Sequence, residues 1–345
     1  MLGDSTTGST LDSPYGRRVA RIRVTLFVVS PIALSRGLLA LQASLLPGNH
    51  TVRLQVGGRT RHYIVHVPPQ AREAPPRPLA VVLSFHGGGG SAKGMQAYAR
   101  TDALADREGF LVVYPDGTGR WGRRLLTWNA GSCCGYALTH HVDDVAFVRA
   151  LLDDLARRTP VEARRIYATG LSNGAMMAYR LAAEAGDRIA AIAPVAGGMV
   201  VDAIRSPRPV PILHMHSLDD PRALYGGGLG PPFPFTNTRV MQPNMDSVIA
   251  RWTAFDGCPG SPTVGKKQQG RPGSAAAAHT ATPYTYGPCA LGSEIVLWKL
   301  TGAGHTWPGA GVQSWQKYVG PATDVIDANT LMWRFFQRFT LPSPK

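Results

Sequence analysis

The chain has 345 residues, 44% hydrophobic and 17% charged, which is enough apolar material for a sizeable core and excludes a disordered or fibrous class. Its net charge of +14 comes mostly from arginines spread along the chain and not gathered in runs, so it reads as a solvated basic surface and not as a nucleic-acid binder. The four cysteines include no Cys-x-x-Cys pair, which argues against a zinc knuckle.

Residues 1–16 are polar and read as disordered. Arg17, Arg18, Arg21 and Arg23 then precede an apolar run reaching toward Ala43, which has the order of a secretory signal. Residues 1–48 are therefore expected to be an N-terminal extension that directs the protein to the periplasm or outside the cell. Pro31 and Arg36 interrupt the run, so no stable membrane span is expected.

From residue 49 the pattern changes. Residues 51–56 and 61–67 alternate with period two around Gly57-Gly58, predicting an antiparallel hairpin. A proline-rich connection leads to residues 79–85, a continuous apolar run suited to a central parallel strand, which ends in His86-Gly87-Gly88-Gly89-Gly90. A helix is expected around 101–108 and a buried strand over 111–115, followed by a loop holding Trp121, Trp128, Asn129, Cys133 and Cys134. Val145, Val148, Leu151, Leu152 and Leu155 fall at helical spacing within 143–158.

Residues 166–179 form a β-prone run that meets Gly170-Leu171-Ser172-Asn173-Gly174 and passes directly into good helix formers. Strands are expected over 189–195 and 211–216, the second ending in Ser217-Leu218-Asp219-Asp220. Residues 226–234, rich in Gly, Pro and Phe, read as a mobile loop near the mouth of a site. A helix over 248–255 precedes 260–282, which contains Ala275 to Ala278 and reads as a low-complexity surface insertion. A last strand over 294–300 runs into Gly304-His305-Thr306-Trp307, and a helix over 324–339 closes the chain with Leu331, Met332, Phe335, Phe336 and Phe339 on its buried side. Strand and helix alternate from residue 79 onward, which predicts an α/β fold with a mostly parallel sheet flanked by helices, in one catalytic domain over 49–342.

A serine hydroxyl is a poor nucleophile near neutral pH and needs a base that is itself oriented by a carboxylate. The order nucleophile, acid, histidine, each after a strand, is the order of the α/β-hydrolases. Ser172, then Asp219 or Asp220, then His305 meet that requirement. The remaining histidines fit it less well: His62 and His66 lie in the hairpin, and His140 and His141 precede a helix. His214-x-His216 could suggest a metal pair but lacks a third ligand nearby, so no metal and no cofactor is expected. The oxyanion donors are expected to be the Asn173 amide and one from the glycine run, Gly88 ahead of Gly87 or Gly89. Cys258 and Cys289 flank a loop-rich segment and are expected to form a disulfide, while Cys133 and Cys134 could be bridged or remain two thiols.

The motifs His86-Gly87-Gly88-Gly89-Gly90, Trp128-Asn129-Ala130-Gly131-Ser132-Cys133-Cys134-Gly135, Gly170-Leu171-Ser172-Asn173-Gly174 and Gly304-His305-Thr306-Trp307-Pro308-Gly309 resemble the secreted esterase family of polyhydroxybutyrate depolymerases and feruloyl or acetylxylan esterases. That resemblance implies an α/β-hydrolase fold and a serine carboxylic-ester hydrolase, here a monomer, acting on a hydroxyalkanoate polyester or on a plant cell-wall ester. An acyltransferase, or a catalytically dead fold used for binding, are the rival classes. The resemblance favours Asp220 as the triad acid, four residues after the strand-terminal His216. It also places Trp128, Asn129 and Trp307 beside the site as substrate-binding residues.

Overall fold

The computed structural model describes residues 45–75, 77–233, 237–311 and 316–343. The secretory segment expected within 1–44 lies outside them. Residues from Gln42 onward form one compact unit.

The chain opens with an antiparallel pair, β1 (Gly48–Val56) and β2 (Arg59–Val67), turning at Gly57 and Gly58, whose φ values of 56° and 72° suit residues without a side chain. Next come β3 (Leu79–Phe85), α1 (Ala92–Ala99), α2 (Asp102–Glu108) and β4 (Leu111–Pro115). A small hairpin, β5 (Thr118–Gly119) with β6 (Gly122–Thr127), and a short α3 (Gly135–Thr139) lead to α4 (Asp144–Arg158). The central unit is β7 (Val161–Leu171), α5 (Asn173–Glu184) and β8 (Ala191–Val195). After β9 (Ile212–Ser217) come the short pair β10 (Gly228–Leu229) and β11 (Met241–Gln242), then α6 (Met245–Phe255). The chain finishes with β12 (Thr263–Val264), β13 (Gln268–Gln269), β14 (Thr280–Tyr286), β15 (Ile295–Thr301), α7 (Gln316–Val319) and α8 (Ala328–Phe336).

Among the described residues the main sheet runs β1-β2-β4-β3-β7-β8-β9-β15-β14-β12, with β13 also on β14. The six strands from β4 to β15 are parallel, and the flanking ones are antiparallel. Every residue of β3 is buried, because helices cover both faces. Leu79, Val81, Leu83 and Phe85 pack toward α4, α5 and α6, whereas Ala80 and Val82 pack toward α1, α2 and α8. That period-two split is what a strand sandwiched between two apolar layers requires.

Several expectations are corrected here. Residues 260–282 are not a free surface insertion: they carry β12 and β13, which pair with β14 (280–286), and β14 in turn pairs along its length with β15. Within the stretch expected to be a mobile loop, Gly228 and Leu229 pair with Gln242 and Met241 in the β10–β11 ladder. The loop around Trp121 contains the β5–β6 hairpin, and α1 was missed. The closing helix is shorter than expected, starting after Asp327, whose carboxylate accepts from the Thr330 amide at 2.7 Å.

Candidate active site

Ser172 stands between β7 and α5 with φ 59° and ψ −120°, a conformation that a residue with a side chain holds only where its surroundings impose it. Its backbone is bonded on both sides: its amide donates to Val195 O at 2.9 Å, and its carbonyl accepts from Met176 N at 3.0 Å. The hydroxyl makes no hydrogen bond among the described residues and is left at the surface of the turn. Two glycines make the turn sterically possible. A Cβ at Gly170 would come within 2.7 Å of Phe85 O, and one at Gly174 would overlap that same carbonyl.

The carboxyl ends of the parallel strands carry the other two groups. The sheet order β7-β8-β9-β15 puts the ends of β9 and β15 side by side, two and three strands from the serine. Strand-end bonds step across this edge, from Ser172 N to Val195 O, Ala196 N to Met215 O and Leu218 N to Leu300 O. Ser217 Oγ ties β9 to the loop after β15 by donating to Ala303 O. The loop 303–308 folds back over the end of β8 and encloses a small cavity with Val195, Ala196, Met215 and His216. Gly197 lies flush against the Ser172 carbonyl, where any Cβ would overlap it. His305 is thus carried to the same edge as Ser172, and its Nδ1 lies 2.7 Å from Asp220 Oδ2.

The two adjacent aspartates have different work. Asp219 Oδ2 accepts from the Gly302 amide at 2.7 Å and fastens the acid loop to the base of the histidine loop. Asp220 is buried, and its Oδ1 accepts the Arg222 and Ala223 amides at 2.7 and 2.9 Å. Burial pushes its pKa up, but the His305 charge and the bonds from His216 and His305 win, so it stays well below the usual carboxylate range. A fixed anion against Nδ1 orients the imidazole and leaves Nε2 to face solvent and substrate.

The glycine run meets the elbow from β3. Cβ atoms built at Gly87 and Gly88 would sit 3.5 Å from Ser172 Cβ and 3.7 Å from Asn173 Cβ. The Gly89 and Gly90 amides are spent on Leu126 O and Gly87 O, whereas the Gly88 amide has no partner among the described residues. Asn173 is the first residue of α5, where the backbone N–H has no helical acceptor. Both amides are therefore available beside the serine. His86, just before the run, is buried and neutral: burial lowers its pKa to about 4, Nε2 accepts from Gly117 N at 3.0 Å, and Nδ1–H donates to Gly87 O at 2.8 Å.

The residues expected to bind substrate belong to the scaffold instead. Trp128 is fully buried; its indole donates to His86 O at 2.9 Å and packs edge-on to Phe85. The Asn173 side chain clamps its backbone, accepting from Trp128 N at 2.8 Å and donating to Trp128 O at 3.1 Å. Asn129 spends its side-chain amide on Val142 O, and its backbone N–H on Asp144 of the buried Arg61–Asp144 pair. Trp307 is buried with its indole on Asn329 Oδ1. An aromatic beside a motif reads equally well as core or as binding surface, and here the core takes both indoles, Trp128 and Trp307. A ring that sequence reasoning missed does approach the site: Phe233 lies 3.7 Å from the Cβ position of Gly88.

Cys258 is bonded to Cys289, as expected, and Cys133 and Cys134 are joined through their sulfurs. Among the described residues no group of three or more His, Cys, Asp or Glu could hold a metal ion, and no helix is long and apolar enough to cross a membrane.

The family model described as esterase PHB depolymerase matches residues 61–257, more than half of the chain. A protein named as an esterase, NocK, of Nocardia uniformis subsp. tsuyamanensis is 33% identical over 78% of this chain and 76% of its own. The bifunctional acetylxylan esterase/xylanase XynS20E of Neocallimastix patriciarum is 28% identical over 75% of this chain, which spans only 33% of that larger protein. Among solved structures, the dienelactone hydrolase-like promiscuous phosphotriesterase P91 from metagenomic libraries superposes with a TM-score of 0.50 at 14% identity, covering 85% of this chain and 98% of its own, a likeness of fold alone. By the extent of the family match, the chain belongs to the esterase PHB depolymerase family and is a carboxylic ester hydrolase with an α/β-hydrolase fold.

Proposed function

We propose that this protein hydrolyses carboxylic esters through an acyl-enzyme formed on Ser172, and that residues 49–342 are the catalytic domain. His305 takes the serine proton as the hydroxyl attacks the ester carbonyl, and Asp220 holds the imidazole and stabilises its charge. The Gly88 and Asn173 amides receive the oxyanion. His305 then returns the proton to the departing alcohol, and water releases the acid by the same steps in reverse. The observation that supports this reading is the 2.7 Å contact between His305 Nδ1 and Asp220 Oδ2, following strands β15 and β9 of the same sheet whose strand β7 leads into Ser172 at φ 59°.

For the substrate, the family supports an ester of a hydroxyalkanoate, polymer or oligomer. Acetylated xylan is the second reading, favoured by the similarity to XynS20E. The two bridged cysteine pairs fit action in an oxidising compartment. The test is a panel of p-nitrophenyl butyrate, hydroxybutyrate oligomers, methyl ferulate and acetylated xylan, with Ser172→Ala as the blank. Turnover that survives Ser172→Ala rejects the serine mechanism. Faster release of acetate from xylan than of hydroxybutyrate from its oligomers rejects the first substrate reading in favour of the second.

A further inference from the structure

We infer that His216 is a positioning residue for the Asp220 carboxylate, locked in one tautomer by a buried hydrogen-bonded chain that begins on the serine's own helix. The inference rests on the active-site reading above. His216 Nε2 lies 2.8 Å from Ala223 O and 3.4 Å from Asp220 Oδ2, and its side chain is 1% exposed. A carbonyl has no proton to give, so Nε2 carries the hydrogen. In the neutral ring Nδ1 is then bare, and it sits 3.1 Å from His214 Nε2, which must donate. His214 Nδ1 is bare in turn and lies 3.0 Å from the Tyr179 hydroxyl, which donates to it. Burial keeps His214 far below the ordinary histidine pKa, so the ring stays neutral. Every proton in the series Tyr179, His214, His216 is thereby pointed one way, toward the acid loop.

The path joins parts that the sheet alone leaves separate. Tyr179 is on α5, seven residues or about two turns beyond Ser172. His214 and His216 are inward residues of β9, and Asp220 is on the loop that β9 feeds. The chain therefore bolts the helix that starts at the nucleophile to the loop that holds the acid. The single Nε2 hydrogen of His216 goes to Ala223 O, and the Ala223 amide in turn donates to Asp220 Oδ1 at 2.9 Å, so His216 fixes the loop segment that holds the carboxylate while its N–H edge faces Oδ2. The other charged or titratable groups around this centre are turned elsewhere or lie outside it. Arg222 adds its positive charge at the loop, and Asp219 is spent on Gly302 N. Tyr225 meets His216 edge-on at 5.6 Å, but its hydroxyl goes to Asp246, and Lys299 lies over the outer side of that ring.

The test begins with wild type and Ser172→Ala on p-nitrophenyl butyrate, which checks the active-site reading by itself. His216→Leu removes the donor, whereas His216→Gln keeps an N–H at the same reach. With wild type active, His216→Leu is expected to lower kcat by about tenfold or more with KM little changed, since the loop that presents Asp220 loses its buried tie to β9 at Ala223 O. It is also expected to move the acid limb of kcat/KM upward by about half a pH unit, because a carboxylate without that N–H edge facing it holds the His305 proton more tightly. His216→Gln should restore both to near wild type. Long-range proton–nitrogen spectra of the wild-type rings give a readout independent of turnover: both His214 and His216 are expected as Nε2–H tautomers, and Tyr179→Phe should loosen that preference at His214. A wild-type His216 protonated on Nδ1, a folded His216→Leu with unchanged kcat and pH limb, or a His216→Gln as impaired as His216→Leu would each overturn the inference. If His216→Leu does not fold, the spectra and His216→Gln against wild type decide it. Failure of the active-site reading appears separately, as Ser172→Ala turning over like wild type.

Discussion

Replacing Asp220 with asparagine changes one atom, and the surroundings dictate which way the new side chain must face. Oδ1 accepts two backbone amides, at 2.7 and 2.9 Å, so the asparagine carbonyl must occupy that position or two buried donors lose their acceptor. The NH2 group then falls where Oδ2 was, against the N–H of His305. Donor faces donor. His305 relieves this by moving its proton to Nε2, which turns the intended base into a donor aimed at Ser172. Loss of the correct tautomer in a serine triad lowers kcat by roughly 10³- to 10⁴-fold, or about 4–5.5 kcal/mol of barrier. Steady-state kinetics on p-nitrophenyl butyrate between pH 5 and 10, with circular dichroism to verify folding, measure it. Asp219→Asn is the control: its carboxylate serves one amide, which a carbonyl oxygen also satisfies, so kcat should stay within about threefold, well inside the energy of one ordinary hydrogen bond. A folded Asp220→Asn that loses less than tenfold near pH 8, or an Asp219→Asn as impaired as Asp220→Asn, refutes the reasoning.

Asp256 is buried between Val210 N and Ser293 Oγ, and burial pushes its carboxyl up to about 6 despite those bonds and the Arg208 charge. A folded-state value above the unfolded one means that ionisation opposes folding, so stability falls as pH rises from about 4 through 6, by up to about 3 kcal/mol. Asp256→Asn is therefore expected to raise the urea midpoint at pH 8 and to lose that advantage at pH 4; a lower midpoint at pH 8 contradicts this. Gly174→Ala would put a methyl onto the Phe85 carbonyl, an overlap that outweighs the gain of about 1 kcal/mol in helix propensity. Chemical melts should show a loss of about 1–3 kcal/mol, typical of overpacking. kcat should fall as well, because β3 leads into Gly88, proposed to help hold the oxyanion, and unchanged values of both would sink the account of the elbow.

The long apolar runs that became β3, β4, β8 and β9 were legible because a strand covered on both faces has no polar positions to confuse the pattern. The elbow was legible for a related reason, since Gly170, Ser172 and Gly174 answer a local steric demand that few other residues meet. What escaped was structure held by tertiary pairing. Residues 280–286 alternate Thr, Ala, Pro and Tyr with little hydrophobic contrast, and they form a strand because β15 offers an edge. Trp128 and Trp307 were misplaced because residue type does not reveal which end of an indole is covered. The division between Asp219 and Asp220 was equally invisible. Adjacent residues point to opposite sides, and only the positions of Gly302 and His305 decide which carboxylate meets which partner.

β8 stands between the strand that leads to Ser172 and the two that lead to Asp220 and His305. Past its end, the backbone at Gly197 is pressed against the Ser172 carbonyl and the Ala175 methyl, with no space for a Cβ. A substituent at 197 would therefore push on the turn that holds Ser172 while leaving the side chains of the site chemically intact, so one added methyl is expected to act through the serine's backbone.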